Sequence, residues 1–337
     1  MNKKITVSII GATGYTGLEL IRILNAHPYF EVKYLSSGST AGKKISEVWP
    51  HLKGICDLEL TNMDPKKIAE DSDCVFLALP NLESQKIAGE LIGLSKIIDL
   101  SPDFRVKNIP LYEQYHHTKH LFPQCVKEFT YGVPELNKKE IIGASHIANP
   151  GCFAISVELA LAPLKKRIKH VDVFSITGSS GSGKSLGEGT HHPVRNHNVK
   201  SYKIGVHQHI PEIIQTLGLE EGQLSFVPTS GPFVRGIQTT AFIELKKNMS
   251  ASDALETYKK VYAACPFIRI KKEVQIAEVV GSNFCDISIV ELNGKLIIQS
   301  VIDNLVKGAS GTAIQNCNLM FGLPETEGLL SLSPLFP

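Results

Sequence analysis

Short apolar runs alternate with helix-period segments along the first part of the chain. KITVSII (4–10) is β-branched and apolar and ends in the turn GATGYTG. Leu18, Ile21, Ile23 and Leu24 follow before His27-Pro28, and FEVKYLSS (30–37) reads as a second strand. CVFLALP (74–80) and KIIDLS (96–101) are further strand-like runs, each closed by a turn. Strands alternating with helical patterns predict a parallel, doubly wound sheet. Ligands of such sheets bind beyond the C-terminal ends of the strands, where Pro80, Asn81, Ser101 and Arg105 fall.

From residue 146 the pattern changes. In HIANPGCFAISVELALAPLKK (146–166), Asn-Pro-Gly makes a turn, and Ile155, Leu159 and Ala162 then share one face of a helix expected from about Cys152 to Pro163. VDVFSITG (171–178) reads as a strand. In YKIGVHQHIPEIIQTL (202–217) a helix is expected to start at Pro211, with Glu212 in its first turn.

Composition narrows the class. A chain of 337 residues suits about two domains. With 43% hydrophobic and 20% charged residues it can fill a core, which argues against wholesale disorder. A net charge of +2 gives no reason to expect nucleic acid or an anionic membrane as partner. No apolar run approaches the roughly 20 residues that span a bilayer, and the apolar stretch after the first lysines is too short for a secretory leader. Cysteines 56, 74, 125, 152, 265, 285 and 317 are odd in number and contain no CxxC pair. That disfavours a disulfide framework or zinc knuckle and predicts the reducing cytoplasm.

Gly11, Gly14 and Gly17 stand at the first strand-to-helix turn, where a backbone without Cβ can approach a pyrophosphate. Their spacing, GxxGxxG, is a variant of the usual fingerprint. The tip of the second strand, SSGSTAGKK, carries no acid for a ribose 2′-hydroxyl. Ser36, Ser37, Ser39 and Lys43 (or Lys44) suit a 2′-phosphate instead, so NADP is favoured over NAD.

GSSGSGKS (178–185) matches the full pattern of an ATP-binding P-loop. A P-loop must open a helix, yet LGEGTHHPVRNHN follows, with glycines and a proline and no apolar period. The ATPase reading fails on that context. The amides of such a loop still suit a nicotinamide, a phosphate or a developing oxyanion.

Cys152 falls at a helix N-terminus, where the macrodipole favours thiolate. The residues alone leave open whether it reacts or merely packs. His207 is a candidate base and Glu212 a candidate to orient it. His-x-His with a nearby Glu also suggests a metal, as do HHTKH (116–120) and HHPVRNH (191–197). None has a partner at ligand spacing, so no metal is expected, and His116, His117 and His120 read as surface residues of a polar loop. Arg105 and Arg235 lie in loop-like contexts where each could clamp an anion; an ordinary ion pair is the better expectation for both.

A dinucleotide domain, then a cysteine at a helix start, then a histidine, is the order found in semialdehyde dehydrogenases. From end to end the chain resembles one family of that group, the N-acetyl-γ-glutamyl-phosphate reductases, NADP-dependent enzymes of arginine biosynthesis. IIGATGYTGLELIRIL, IDLSPDFR, YGVPELN, ANPGC, ITGSSGSGK, YKIGVHQHIPEI, PFVRGIQTT and DNLVKGASGTAIQNCNLMFGL carry the resemblance. It implies a Rossmann-type parallel-sheet domain over 1–148, completed by C-terminal residues 306–337. It also implies an α+β catalytic and oligomerisation domain over 149–305 with a mostly antiparallel sheet. Cys152 would be the nucleophile and His207 the acid/base, supported by Glu212. Arg105, His209, Tyr202 and Asn149 would bind an acyl phosphate substrate. Gly11, Thr13, Gly14, Tyr15, Thr16 and Gly17 would hold the pyrophosphate, with Pro80 nearby. Ser179, Gly181 and Asn304 would approach the nicotinamide. A cytoplasmic homo-oligomer, dimer or tetramer, is implied.

Three departures bear on the substrate. Phe153 stands where the family usually has Tyr, and Gln208 where it commonly has Arg. EGTHHPVRNHN resembles instead the reductase of carrier-linked aminoadipyl phosphate in lysine biosynthesis. N-succinylated and carrier-linked substrates therefore stand beside N-acetyl, with aspartate-semialdehyde dehydrogenase and a non-catalytic NADP sensor as further alternatives. His-x-His-x-Pro-Glu points away from the former, and Cys152 together with His207 away from the latter.

Overall fold

The structure, a computed structural model, describes residues 4–334. The chain divides into two compact units. The first comprises residues up to Ile109, Thr118–Pro150 and Ala309–Ser331. Its strands are β1 (Ile5–Ile10), β2 (Phe30–Ser36), β3 (Leu60–Thr61), β4 (Cys74–Leu77), β5 (Lys96–Asp99), β6 (Phe129–Tyr131) and β7 (His146–Ala148). They form one sheet in the order β3-β2-β1-β4-β5-β7-β6, and every pairing is parallel. β4 is buried along its whole length, as a strand covered on both faces must be, which is why CVFL shows no alternation. The strand order runs outward in opposite directions from β1 and β4, so their C-terminal ends form the switch point where such sheets take ligands.

The helix Gly311–Met320 belongs to this unit and is buried throughout. Asn316 Nδ2 donates to Gly132 O at 2.9 Å and to Asn149 Oδ1 at 3.1 Å. A π-helical turn, Val306–Ser310, precedes that helix. Residues 335–337, expected to help complete the dinucleotide domain, lie outside the described residues.

The second unit comprises Pro110–His117, Gly151–Gly308 and, among the described residues, 332–334. Its strands are β8 (Ile168–Thr177), β9 (Lys200–Ser201), β10 (Leu224–Ser230), β11 (Ile237–Leu245), β12 (Ile268–Ile270), β13 (Cys285–Leu292) and β14 (Lys295–Ile302). The order is β12-β13-β14-β11-β8-β10-β9. Only β8–β10 and β12–β13 pair in parallel; the rest is antiparallel. The helix Cys152–Leu161 packs on β11 and β14. Ser156 Oγ lies 2.9 Å from the hydroxyls of Thr239 and Ser300, so this polar group within a largely apolar helix is satisfied by the sheet. A Rossmann-type parallel sheet with a mostly antiparallel second sheet is the fold class the sequence predicts.

Two local expectations meet the structure differently. Residues Ser179–Ser182 form one 3₁₀ turn and no helix opens at Lys184-Ser185, so the P-loop match is coincidental. The HHTKH segment is surface only in part: His117 is exposed in a turn, as expected, but His116 and His120 are not. Residues Ile109–His116 are helical and His116 stacks on Tyr112 with ring centroids 4.3 Å apart. His120 is buried, with Nε2 2.8 Å from Asp103 O. Among the described residues no helix is long and apolar enough to cross a membrane, and no group of three or more His, Cys, Asp or Glu is placed to hold a metal.

β5 ends on Asp99, which is fully buried and accepts hydrogen bonds from Ser101 N (3.1 Å) and Ser101 Oγ (2.6 Å). Burial, and then the charge of Asp103, raise its carboxyl from the ordinary 3.8 to about 7. The folded state therefore binds this proton more tightly than the unfolded chain. That stabilisation is complete below the ordinary carboxylate range and disappears as pH rises to about 7. At about 1.4 kcal/mol per pH unit, it amounts to about 4 kcal/mol. The melting temperature of Asp99→Asn relative to wild type should accordingly climb between about pH 4 and 7 and level off above. A difference independent of pH would contradict the assignment.

Candidate active site

Cys152 is the first residue of its helix. Gly151 precedes it with extended backbone (φ −72°, ψ 148°) and supplies no side-chain cap. The first amides of a helix have no intrahelical acceptor, so the thiol sits at an uncapped positive end. Phe153 through Leu161 are all buried; Cys152 is the one residue of the helix with partial exposure. Gly308 packs directly on it. A Cβ at 308 would lie 2.9 Å from the Cys152 Cβ and 3.3 Å from Asp303 O, so the position of Cys152 depends on a missing side chain.

His207 is enclosed by aromatic rings. Its centroid lies 5.5 Å from Phe153, 5.6 Å from Phe226, 5.8 Å from Tyr202 and 4.7 Å from His209. Its Nδ1 accepts the backbone N–H of His209 at 3.1 Å. A ring nitrogen that accepts carries no proton, so in the neutral ring the proton is on Nε2. Burial, then the charges of His209 and Lys203, lower this imidazole to about 2, against an opposing pull from Glu212. His207 is thus a neutral Nε2–H donor across the working pH range. Burial first, and the charge of Cys152 second, raise the Tyr202 phenol well above its ordinary range.

Glu212 does not stand behind His207. Its Oε2 accepts the Gly151 N–H at 2.9 Å and its Oε1 lies 3.9 Å from His209 Nε2. The sequence spacing suggested a carboxylate on His207, but the backbone of His209 already occupies Nδ1. Glu212 instead fixes the turn leading into Cys152 and orients His209.

The amide of Asn304 is engaged at both ends. Oδ1 accepts Gly236 N–H at 2.7 Å, and Nδ2 donates to Ser180 Oγ at 2.9 Å. Ser180 Oγ donates in turn to Val234 O at 2.7 Å. Asn304 therefore holds the turn that carries Ser179 and Gly181. Arg235 Nε lies 3.2 Å from the buried Asp303 carboxylate, the ordinary ion pair expected for it.

In the first unit, the Gly11 backbone has φ +91°, and a Cβ there would strike Ala78 O at 2.3 Å. Only glycine lets the chain turn sharply after β1 so close to the segment that follows β4. The helix Tyr15–Leu24 starts after Gly14 with no side-chain cap and no acid in its first turn. The open amides of Tyr15, Thr16 and Gly17 form a cradle suited to a pyrophosphate, and Pro80 is exposed at the end of the neighbouring β4. Tyr15 leans on Trp49, ring centroids 6.3 Å apart. Beyond β2, Ser36 and Ser37 are buried. The Ser37 hydroxyl bonds Thr40 Oγ1 at 2.9 Å and lies 3.4 Å from Thr13 Oγ1. Ser39 and Lys43 are exposed and have the character a 2′-phosphate requires.

Arg105 is largely buried and donates to Leu100 O at 2.7 Å. Asn149, expected to bind substrate, is fully buried. Its Nδ2 donates to Ala309 O at 3.1 Å and its Oδ1 accepts from Asn316. It ties the chain before Cys152 to the C-terminal segment and presents no polar group outward. The sequence reading passed over Arg195, whose only signal is a lone arginine in the segment that departs from the family pattern.

Two family models match the chain: a semialdehyde dehydrogenase NAD binding domain over residues 6–144 and a semialdehyde dehydrogenase dimerisation domain over 152–304. In fold, the chain is similar to aspartate semialdehyde dehydrogenase II complexed with ASA from Vibrio cholerae, with a TM-score of 0.72 at 16% identity, covering 95% of this chain and 99% of that one. Paired with a cysteine at a helix start and a buried histidine, these features define the semialdehyde dehydrogenase class. The N-acetyl-gamma-glutamyl-phosphate reductase of Citrifermentans bemidjiense is 44% identical over 99% of this chain and 100% of its own length. That of Methanocaldococcus jannaschii is also 44% identical, over 97% and 98%. The chain belongs to the N-acetyl-γ-glutamyl-phosphate reductase family.

Proposed function

We propose that the chain reduces N-acetyl-γ-glutamyl phosphate to N-acetylglutamate 5-semialdehyde and phosphate with NADPH, in the arginine pathway of the cytoplasm, through a thioester on Cys152. The observation that carries the reading is the partly exposed Cys152 at an uncapped helix start, in one unit with a neutral, buried His207.

The Cys152 thiolate attacks the acyl carbon, and the first-turn amides of its helix take up charge developing on the carbonyl oxygen. The bond to the phosphate oxygen breaks, and phosphate leaves with that electron pair. NADPH, when bound, supplies the hydride that reduces the thioester. The C–S bond then breaks, its electrons return to sulfur, and the aldehyde is released. His207 donates Nε2–H to the oxygen that gains charge in both halves. Glu212 and Gly308 position Cys152. Gly11, Thr13, Gly14, Tyr15, Thr16 and Gly17 hold the pyrophosphate, and Ser39 and Lys43 the 2′-phosphate. Ser179 and Gly181 meet the nicotinamide, with Asn304 acting behind them. Arg105 and His209 take the substrate.

The test is phosphate-dependent oxidation of N-acetylglutamate semialdehyde, with the N-succinyl and aminoadipate homologues beside it, each with NADP and NAD. Turnover of the acetyl compound with NADP is expected. Turnover of only a longer homologue would move the pathway, and turnover of none would end the enzymatic reading.

The family model over 152–304 describes a dimerisation domain, and the sheet face bearing Phe174, Phe242, Ile297 and Val290 supports a homo-oligomer. Phe242 lies opposite Ile297, and Ile297 opposite Val290; Phe174, Phe242 and Val290 are each more than 40% exposed. An apolar face of this kind on one sheet suits a second copy of the chain. Phe242→Glu should convert the assembly to monomer in size-exclusion chromatography with light scattering. An unchanged mass would place the interface elsewhere.

A further inference from the structure

We infer that Arg195 binds the α-carboxylate of the acyl substrate and so helps to decide which acyl chains the enzyme accepts. The inference rests on the reductase reading above.

Arg195 closes the short turn His192–Arg195. Its guanidinium is fixed from one side, with Nε donating to Gly231 O at 2.9 Å and a terminal nitrogen to Thr177 O at 3.2 Å. Thr177 is the last residue of β8 and Gly231 follows β10, and the Gly231 N–H bonds Thr177 O at 2.9 Å. The two strand ends are hydrogen-bonded to each other, and bonds to both hold the planar fork in one orientation. Two carbonyls orient a guanidinium without cancelling its charge. Arg235, by contrast, has the Asp303 carboxylate; among the described residues Arg195 forms no ion pair, and burial and the Tyr202 phenol are what act on its charge. A half-buried guanidinium that is oriented and lacks a counter-ion is built to receive a planar anion.

Its place matches the far end of the substrate. Along β10 the contacts run in order: Phe226 against the His207 ring at 5.6 Å, Pro228 O on the Tyr202 N–H at 3.0 Å, then Gly231 O on Arg195 Nε at 2.9 Å. The guanidinium is therefore held farther along β10 from the His207 ring than the Tyr202 backbone is. The phosphoryl group is attached to the carbon that Cys152 attacks and must lie against the thiol. The α-carboxylate lies at the other end of the acyl chain. β9, which links Arg195 to Tyr202 along the sequence, pairs with Thr229 and Ser230 of β10, so both side chains are carried by the same strand end.

The experiment uses the oxidation direction, in which semialdehyde and phosphate are varied independently, on wild type, Arg195→Gln and Arg195→Lys. Arg195→Gln should raise KM for N-acetylglutamate semialdehyde by roughly 100-fold and leave KM for phosphate within about twofold. Wild type should prefer the semialdehyde over its α-carboxamide analogue; Arg195→Gln should lose that preference, and Arg195→Lys should recover part of it. A rise in KM for phosphate instead would assign the guanidinium to the phosphoryl group. An equal loss on carboxylate and carboxamide would reduce Arg195 to an anchor of its segment. Arg195→Lys carries the same comparison if the glutamine variant does not fold. A wild type inactive on every semialdehyde would strike the reductase reading itself, whereas an active wild type with an unaffected Arg195→Gln would strike only this inference.

Discussion

Replacing Cys152 with serine should lower kcat by roughly 10⁴-fold or more while leaving the protein folded and able to bind NADPH. The size follows from the chemistry. A hydroxyl is hardly ionised at neutral pH, and an ester is a poorer hydride acceptor than a thioester, so both halves of the reaction lose their driving group. The structural cost should be small, because Cys152 is the only partly exposed residue of its helix and serine is close in volume. A melting temperature within about 2 °C of wild type is expected. Steady-state rates, a thermal melt and NADPH fluorescence titration together check this. Loss of folding or of nucleotide binding would mean that the thiol matters for packing, and retained turnover would remove it from the mechanism.

The second large effect belongs to His207. Asparagine at this position should lower kcat/KM by about 10²- to 10³-fold, the scale for removing one donor to a developing oxyanion. Glutamine should lose less, because its longer amide places an N–H near the position of Nε2. A ring acting as base through Nδ1 would give the reverse order, since the asparagine amide lies near Nδ1. The pH profile sharpens the distinction. His207 is held at about 2 by burial, so it stays neutral at ordinary pH and should add no limb near 6.5 to kcat/KM. A limb near 6.5 that disappears in the asparagine variant would contradict this. The same shift predicts a stability term of defined sign. The unfolded chain protonates this imidazole more readily, so its contribution is complete above about pH 6.5 and is lost as pH falls toward 2.

The first sheet could be read along the chain because local signals there agree with the fold. KITVSII is β-branched, ends in glycines that the turn against Ala78 requires, and leads into a helix with an apolar face. β3 and β9 are too short to leave a pattern. HHTKH looked like surface because histidines are polar, yet stacking on Tyr112 and a bond to Asp103 O take His116 and His120 inward. The site was legible as a set of residue types. What the sequence withholds is where each polar atom is already committed. Asn149 and Asn304 look like ligand-binding amides, but their hydrogen bonds are used within the protein. Glu212 sits at plausible spacing from His207, but a single backbone N–H at Nδ1 turns it toward Gly151. Arg195 shows the converse: nothing local marks it, and its unneutralised charge becomes visible only once β8 and β10 bring two carbonyls to it.

The central claim is a covalent acyl-enzyme on Cys152. Mixing the protein with N-acetyl-γ-glutamyl phosphate in the absence of nucleotide, followed by acid quench and peptide mass spectrometry, tests it directly. The account predicts an N-acetylglutamyl group on the peptide carrying Cys152, formed with release of phosphate and discharged on adding NADPH. An unmodified Cys152 peptide, in a preparation that turns over normally once NADPH is present, would contradict it.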